Sequence, residues 1–327
     1  MLSVLDFNVF TGSPLPFVNG NTILRNSSRL QKIIAEIERL NPDVVALQEV
    51  WCMHTQRTLI SAFADGYRPI FGNQKPWYRV PLAHAIIATA AILFCFPFRL
   101  FLSRGLVIVI GLVVFLGLRL VLHGHPAYEC FVGNETGLLM LVRNSLTLVT
   151  AQTKRLRTQS GDPLNIISPR GIQSAVVILP GSGFAVKIYN THLNALGSGD
   201  ARNNQVLEIL ESVRRAKLRG RCAILCVDLN ADEKSSAYRS MTSELSDAVL
   251  DKVGSASIDQ HHTWINSNQL SRGGRLFSPD MRCDFVFYDA GLLRVLSALT
   301  VLDKPPLSDH FGVFASFTMA ESTTTSQ

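Results

Sequence analysis

The sequence predicts an α+β protein in which two β-sheets pack face to face with helices outside. Three observations carry that prediction. Short apolar runs recur along the chain without regular polar alternation, the pattern of strands buried on both faces. Only a few amphipathic stretches separate them, too few for a simple doubly wound sheet. Polar residues that can do chemistry stand where the apolar runs stop, and one long uncharged stretch interrupts the series.

Leu2 to Phe7 opens as a strand. Leu30, Ile33, Ile34, Ile37 and Leu40 recur at helical spacing, and Ser28 with Gln31 resembles a capping box. After the Asn41-Pro42 break, Asp43 to Gln48 reads as a buried strand. Gly137 to Val142, Ile172 to Leu179 and Phe184 to Thr191 follow as strands. Asp200 opens a helix with Val206, Leu210 and Val213 on its inner face. Cys222 to Val227, Cys283 to Tyr288 and Val313 to Phe317 complete the strands. The sequence shows neither internal repeats nor a glycine-rich phosphate loop.

The composition supports a folded chain. Of 327 residues, 47% are apolar and 17% charged, against about a quarter charged in an ordinary globular protein. Intrinsic disorder, which needs few apolar residues and much charge, is excluded. The net charge is +6, from 31 Lys and Arg against 25 Asp and Glu. Its location is informative: no acidic residue lies between Asp65 and Glu129, and that window holds Arg68, Lys75, Arg79, Arg99, Arg104 and Arg119. The remainder balances, which argues against a general nucleic-acid binder.

The same window is the most apolar part of the chain. Val80 to Phe98 carries no charge, nor does Gly105 to Leu118, which extends to Leu122 across Arg119. Each half approaches the roughly 20 residues of a membrane-spanning helix and lacks an amphipathic period. Strands lie before and after, so both ends return to one side. The joining turn carries Arg99 and Arg104, although a translocated turn should be cation-poor, and Pro97 breaks the first half. The reading favours a shallow hairpin in one leaflet, its arginines snorkelling to headgroups, over two full crossings. Residues 1–79 and 124–318 then form a catalytic domain, 80–123 a membrane-embedded hydrophobic insert, and 319–327 a disordered tail.

The six cysteines include no CxxC pair and no zinc spacing, and read as reduced, mostly buried thiols. With a strand starting at Leu2, no signal peptide is expected, and the catalytic domain should face the cytosol on a membrane.

At the strand ends stand Asn8, Glu49, His192, Asn194, Asp228, Asn230, Asp284, Asp309 and His310. One alone would read as a turn residue; together they form a chemical set. Glu49, Asn8 and Asp309 offer hard oxygen donors suited to Mg²⁺. His192 and His310 titrate near neutrality. Asp284 can hold an imidazole in one tautomer, and Asp228 and Asn230 can face one site from a tight turn. The set suits metal-assisted attack of water on a phosphate ester.

In LDFNVF around Asn8, ALQEVW around Glu49, YNTHLNA around His192, CVDLNAD around Asp228, RCDFVFYD around Asp284 and LSDHFGV around Asp309, the chain resembles the endonuclease/exonuclease/phosphatase superfamily, the deoxyribonuclease-like fold. The resemblance covers nearly everything outside the insert and implies a four-layered αββα sandwich with a metal site at one edge, here interrupted by a hydrophobic helical hairpin. Within the superfamily it is closest to the neutral sphingomyelinases, through THLNA, Ser168-Pro169-Arg170-Gly171-Ile172, and Gly273-Gly274-Arg275-Leu276 followed by Arg282-Cys283-Asp284-Phe285.

By that resemblance Glu49 is the main Mg²⁺ ligand with Asn8 beside it, and Asp309 joins the metal site. One or two ions are implied, with Mn²⁺ an alternative. His310 is the general base, with an ordinary pKa near 6.5 and oriented by Asp284. His192 contacts the phosphate and helps the leaving oxygen, while Asp228 and Asn230 position the nucleophile and a phosphate oxygen. The implied reaction is hydrolysis of sphingomyelin or a related phospholipid to phosphocholine and ceramide or its lipid equivalent, at a membrane held through residues 80–123. A nuclease, an inositol phospholipid 5-phosphatase and an inactive adaptor are the alternatives. Trp51 reads as core, and His261 and His262 as a solvated loop. Arg214, Arg215, Lys217, Arg219 and Arg221 read as a solvated helix-end face complementing the dipole.

Overall fold

Every run read from the sequence as a strand is an interior strand of one of two sheets. The computed structural model describes residues 1–10, 27–72, 134–162, 165, 168–196, 199–271 and 279–320. The expected insert, residues 80–123, and residues 321–327 of the expected tail lie outside that set.

In chain order the elements are β1 (Leu2–Asn8), α1 (Ser27–Leu40), β2 (Val44–Gln48), α2 (Met53–Ala62), β3 (Tyr67–Phe71), β4 (Leu139–Arg143), β5 (Thr147–Arg155), β6 (Gly171–Ile178) and β7 (Ala185–His192). There follow α3 (Gly199–Lys217), β8 (Cys222–Asp228), α4 (Ser236–Thr242), β9 (Ser246–Asp247), α5 (Ala248–Val253), a 3₁₀ turn (Ser255–His261), β10 (Asp284–Tyr288), β11 (Leu293–Val301) and β12 (Gly312–Met319). Helix α1 starts at Ser27, which puts Ser28 inside the first turn rather than at the cap. Strand β12 reaches Met319, one residue into the expected tail.

The first sheet has the order β11-β12-β1-β2-β4-β3, the second β5-β6-β7-β8-β10-β9. Each has one parallel pair joined by a helical crossover: β1 and β2 through α1, β7 and β8 through α3. A parallel pair needs such a crossover, and it leaves both carboxyl ends on one side of the sheet.

Three apolar layers separate four structural ones. Val4, Val44, Met140, Ile188, Ile224, Cys226, Val286 and Phe317 pack between the sheets. Leu5, Phe7, Val45 and Leu47 face outward onto Ile33 and Ile37 of α1 and Leu59 of α2. Tyr189, Leu225, Phe285 and Phe287 face outward onto Val206, Leu210 and Val213 of α3. The result is the expected helix–sheet–sheet–helix sandwich. Burial on both faces explains why β2 and β8 read as apolar runs up to their last residue and why β1 shows no regular polar alternation. Among the described residues no helix is long and apolar enough to cross a membrane.

One polar chain crosses the layer between the sheets. Gln48 Nε2 donates to Asp6 Oδ1 at 2.6 Å and to Asn190 Oδ1 at 2.8 Å. Asn190 Nδ2 donates to Gln173 Oε1 at 3.1 Å, and Gln173 Nε2 to the Leu138 carbonyl at 3.1 Å. Buried polar groups are tolerated when they are mutually satisfied, and this chain joins β1, β2, β7 and β6.

Candidate active site

Strand pairing brings the strand-end residues to one edge of the sandwich. Asn8 lies opposite Gln48 in the parallel β1–β2 pair, so Glu49 emerges one residue beyond. In the second sheet His192 lies opposite Asp228. Strand β10 runs antiparallel to β8 with Asp284 opposite the same Asp228. Strand β12 runs antiparallel to β1 with Val313 opposite Asp6, which delivers Asp309 and His310 beside the end of β1.

Asp228 is the hub. Its Oδ2 accepts from Asn8 Nδ2 at 2.9 Å and lies 3.4 Å from His192 Nε2 and 4.0 Å from His310 Nδ1. Its Oδ1 accepts the Asn230 backbone N–H at 2.9 Å, a tight turn that Asn230 closes at φ +51°. Asn tolerates this left-handed conformation better than most residues. Asn230 Nδ2 donates to the Leu193 carbonyl, tying the turn to the His192 loop.

His310 and Asp284 form the tightest pair, with Nδ1 2.8 Å from Oδ2. Both are buried. A carboxylate at Nδ1 keeps a proton on that nitrogen and leaves Nε2 for proton transfer. Thr263 Oγ1 fixes the start of β10 by accepting the backbone N–H groups of Cys283 and Asp284. The ordinary base pKa expected from the sequence does not hold. Burial disfavours the imidazolium, yet the carboxylates of Asp284, Asp309 and Asp228 outweigh it and hold His310 well above the usual histidine value.

Glu49 and Asp309 are only partly exposed, at the rim. Burial, then the charge of Asp309, pushes the Glu49 carboxyl up to about 7. Burial likewise raises Asp309 and Asp284. Among the described residues, the buried Asp284 Oδ1 has no hydrogen-bond partner. Four carboxylates thus accumulate around one edge with orphaned oxygen capacity, and that excess fits a divalent cation.

The ligand atoms of Asp228, Cys283, Asp284 and His310 also lie within 4.8 Å of one another. Burial, then Asp284, pushes the Cys283 thiol up to about 12, so it stays protonated and is a poor ligand. Nδ1 of His310 is engaged by Asp284 within this group, and Glu49, Asn8 and Asp309 stand beside it as candidate oxygen donors for a cation. Asn8 Oδ1 accepts the Phe10 N–H at 3.0 Å and keeps a second lone pair.

Two arginines complete the site without having been assigned from the sequence. Arg170, immediately before β6, is buried, with Nη2 3.6 Å from Asp162 Oδ2. Its charge acts on Glu49 and Asp228 as well. Among the described residues its Nε and Nη1 have no hydrogen-bond partner. A buried guanidinium with two unspent donors beside a carboxylate cluster is suited to an anionic oxygen. The sequence signals for it were its place at a strand end and its membership of the Ser168–Ile172 motif, which marked the segment without giving Arg170 a role. Arg29 of α1 clamps the loops around Asn8 and Asp309, donating to the carbonyls of Val9, Phe10 and Leu307, each at 2.7 Å. A lone helical Arg gives no sequence signal for such a role.

Trp51 is buried, as expected for core. A Cβ on Gly137, which has φ +67°, would meet its Cζ3 at 2.5 Å, so glycine is required there. His261 lies in the 3₁₀ turn against Thr300 rather than in the site.

Comparison with known proteins agrees with this architecture. The Endonuclease/Exonuclease/phosphatase family model matches residues 7–310, and the chain belongs to that family. Its members are divalent-metal-dependent hydrolases of phosphoric ester bonds. No curated protein matches the sequence. Among solved structures, the human Nocturnin catalytic domain with bound sulfate superposes with a TM-score of 0.63 at 20% identity, over 98% of this chain and 93% of that one. TDP2 from D. rerio, complexed with single strand DNA product, gives 0.61 at 16% identity over 97% and 98%. The mannosyl-6-phosphatase Bt3783 of Bacteroides thetaiotaomicron gives 0.58 at 15% identity over 97% and 100%.

Proposed function

We propose that this chain is a membrane-associated, Mg²⁺-dependent phosphodiesterase of the neutral sphingomyelinase type, releasing phosphocholine from sphingomyelin or a related phospholipid. The observation that carries the chemistry is the buried His310–Asp284 pair beside the Asp228 hub. The lipid substrate is supported by the largely apolar, acid-free stretch of residues 80–123, whose cations are Arg99, Arg104 and Arg119, and by the THLNA motif. A diester headgroup reaches such a site only when the enzyme lies on the bilayer, and the expected topology places the catalytic domain on its cytosolic face.

His310 Nε2 takes a proton from the attacking water, and Asp284 stabilises the imidazolium at Nδ1. The water oxygen bonds to phosphorus as the bond from phosphorus to the ceramide oxygen breaks. His192 supplies a proton to that leaving oxygen. Asn230 and Asp228 orient the water and one phosphoryl oxygen. Arg170 directs its two free donors at another, where charge grows in the transition state. Glu49, Asn8 and Asp309 would hold Mg²⁺, which neutralises phosphoryl charge and offsets the carboxylate field that keeps His310 protonated.

A second reading keeps the same site and substitutes a nucleic-acid phosphodiester, the product class held by the D. rerio TDP2 structure. A panel of headgroup-labelled lipids in vesicles, with a labelled DNA control, assayed with Mg²⁺ and with EDTA, separates the two. Phosphocholine release that EDTA stops is the expected result. Hydrolysis of DNA alone would replace the lipid reading with the nuclease one. For the membrane role, deletion of residues 81–122 is expected to abolish vesicle association, and unchanged association would refute it.

A further inference from the structure

We propose that the cleft between β5, β6, β7 and the C-terminal end of α3 binds a compact polyphosphate anion, a small group bearing two or more phosphates, at a place separate from the catalytic edge. The cleft encloses about 440 Å³, within the roughly 300–1,000 Å³ range of small-molecule sites. Lys154, Lys187, Arg219 and Arg221 line it. None of these four makes an ion pair among the described residues.

The neighbouring charges show that this is selective. Arg214 and Arg215 pair with Glu244 and Glu211, and Lys217 lies 3.5 Å from Asp289. Three of the five cations in the basic run at the end of α3 are therefore neutralised, as a solvated face should be. The other two, Arg219 and Arg221, line the cleft with Lys154 and Lys187. Glu208, an acid on the cleft wall, is engaged by Arg157.

Lys187 sits at the centre, half-buried, with its ammonium 4.9 Å from the centre of the Tyr189 ring. Burial, then Arg221, Lys154, Arg219 and Arg215, lowers its pKa. Like charges held together in a concavity repel one another, and the field they focus is relieved by an anion of matching charge. Convergence on one lysine suits a compact ligand. A duplex presents its charges along a line, about 1.7 Å apart, and needs an extended strip of cations.

The position sets it apart from the active site. Lys187 and Tyr189 point to the outer face of the second sheet, since Ile188 between them packs in the inter-sheet core. Lys187 stands five residues before His192 on β7, about 16 Å along an extended strand.

The test uses full-length protein and calorimetric titration with inositol hexakisphosphate and with pyrophosphate at physiological salt. In parallel, vesicles of phosphatidylcholine with and without phosphatidylinositol bisphosphate report whether the anion arrives as a lipid headgroup. Two variants are compared, Lys187→Met and the surface pair Arg219→Gln with Arg221→Gln, each checked for an unchanged unfolding midpoint and unchanged hydrolysis of a soluble ester. Binding of a soluble polyphosphate, or of the bisphosphate vesicles alone, that weakens about tenfold or more in both variants is expected, since each lost charge-assisted contact is worth about a factor of ten. No binding of any probe, or binding that both variants leave intact, would overturn the proposal. So would duplex or single-stranded DNA oligonucleotides that bind more tightly than inositol hexakisphosphate and lose that binding in the variants, which would make the face a nucleic-acid surface.

Discussion

Gln48 Nε2 lies 2.8 Å from Asn190 Oδ1, and this contact ties the two sheets together one residue before Glu49 and two before His192. Glu49 and His192, the proposed metal ligand and phosphate contact, grow from different sheets. Their separation is fixed by a buried hydrogen bond rather than by apolar packing, which tolerates sliding. Asn190 also donates to the Leu47 carbonyl at 3.0 Å, so both strands are gripped.

Replacement Asn190→Leu should therefore cost about 1–3 kcal/mol of stability by leaving Gln48 unsatisfied. It should also lower kcat more than it raises KM, because alignment is lost while surface contacts persist. The double replacement Gln48→Leu with Asn190→Leu should recover neither stability nor kcat, since Asp6 Oδ1 and Gln173 Oε1 then lose their donors. Denaturant melts and steady-state kinetics on the three variants measure both effects.

Asp284→Asn preserves shape but removes the charge that orients and stabilises His310. A loss in kcat of about 100-fold or more is expected, the scale of general-base catalysis. Glu49, Asn8 and Asp309 are untouched, so the Mg²⁺ concentration for half-maximal activity should stay within about threefold of wild type, given the contribution of buried neighbouring charge. A metal titration of activity checks the two numbers separately.

Arg170→Lys keeps the charge and loses the planar fork, whereas Arg170→Met loses both. Since Nε and Nη1 are the unspent donors, kcat/KM should fall about tenfold for Lys and further for Met. Equal activity of all three proteins would remove Arg170 from the phosphate site.

The buried thiols give a pH prediction. Burial, then Asp289, pushes Cys222 up to about 11. Burial, then Asp284, pushes Cys283 up to about 12. Burial and Asp6 raise Cys226 well above the ordinary thiol value. Each holds its proton more tightly folded than unfolded, so its contribution to stability is complete below about pH 8.5, the unfolded value, and is lost as pH rises through the folded values. Iodoacetamide at pH 8, mapped by mass spectrometry, should spare all three in the native protein and label them on unfolding. The unfolding midpoint should decline from about pH 9 upward.

Burial explains which parts of the architecture were legible. The eight interior strands are largely buried on both faces and announced themselves as mostly apolar runs. The four that were not read are the four sheet edges, β3, β5, β9 and β11. Strand β3 contains Pro69, tolerated only where a ladder hydrogen bond is dispensable. Strand β5 is polar and largely exposed, and β9 has two residues. Strand β11 carries a bulge between Val295 and Ser297. Edge strands are kept polar, short or irregular to prevent pairing with other chains, and those devices erase the apolar signal.

The site was legible for a related reason. Asn8, Glu49, Asp228 and Asp284 each border an apolar run, where a polar residue stands out, and His192 and His310 sit in short polar clusters at strand ends. Arg29 and the Gln48–Asn190 contact are invisible for the opposite reason: a helical Arg and an amide within a strand become specific only when folding brings distant segments together. The raised pKa of His310 is a property of the assembled carboxylates and has no local signature.

Hydrolysis of bis(p-nitrophenyl) phosphate by wild type and His310→Ala, with saturating Mg²⁺ and with EDTA, bears most directly on the assignment of this edge as a metal-dependent phosphoesterase site. Wild type should turn over only with Mg²⁺, and His310→Ala should lose at least about 100-fold in kcat while keeping its unfolding midpoint. Full activity of a folded His310→Ala protein, or wild-type turnover that EDTA leaves intact, would contradict it.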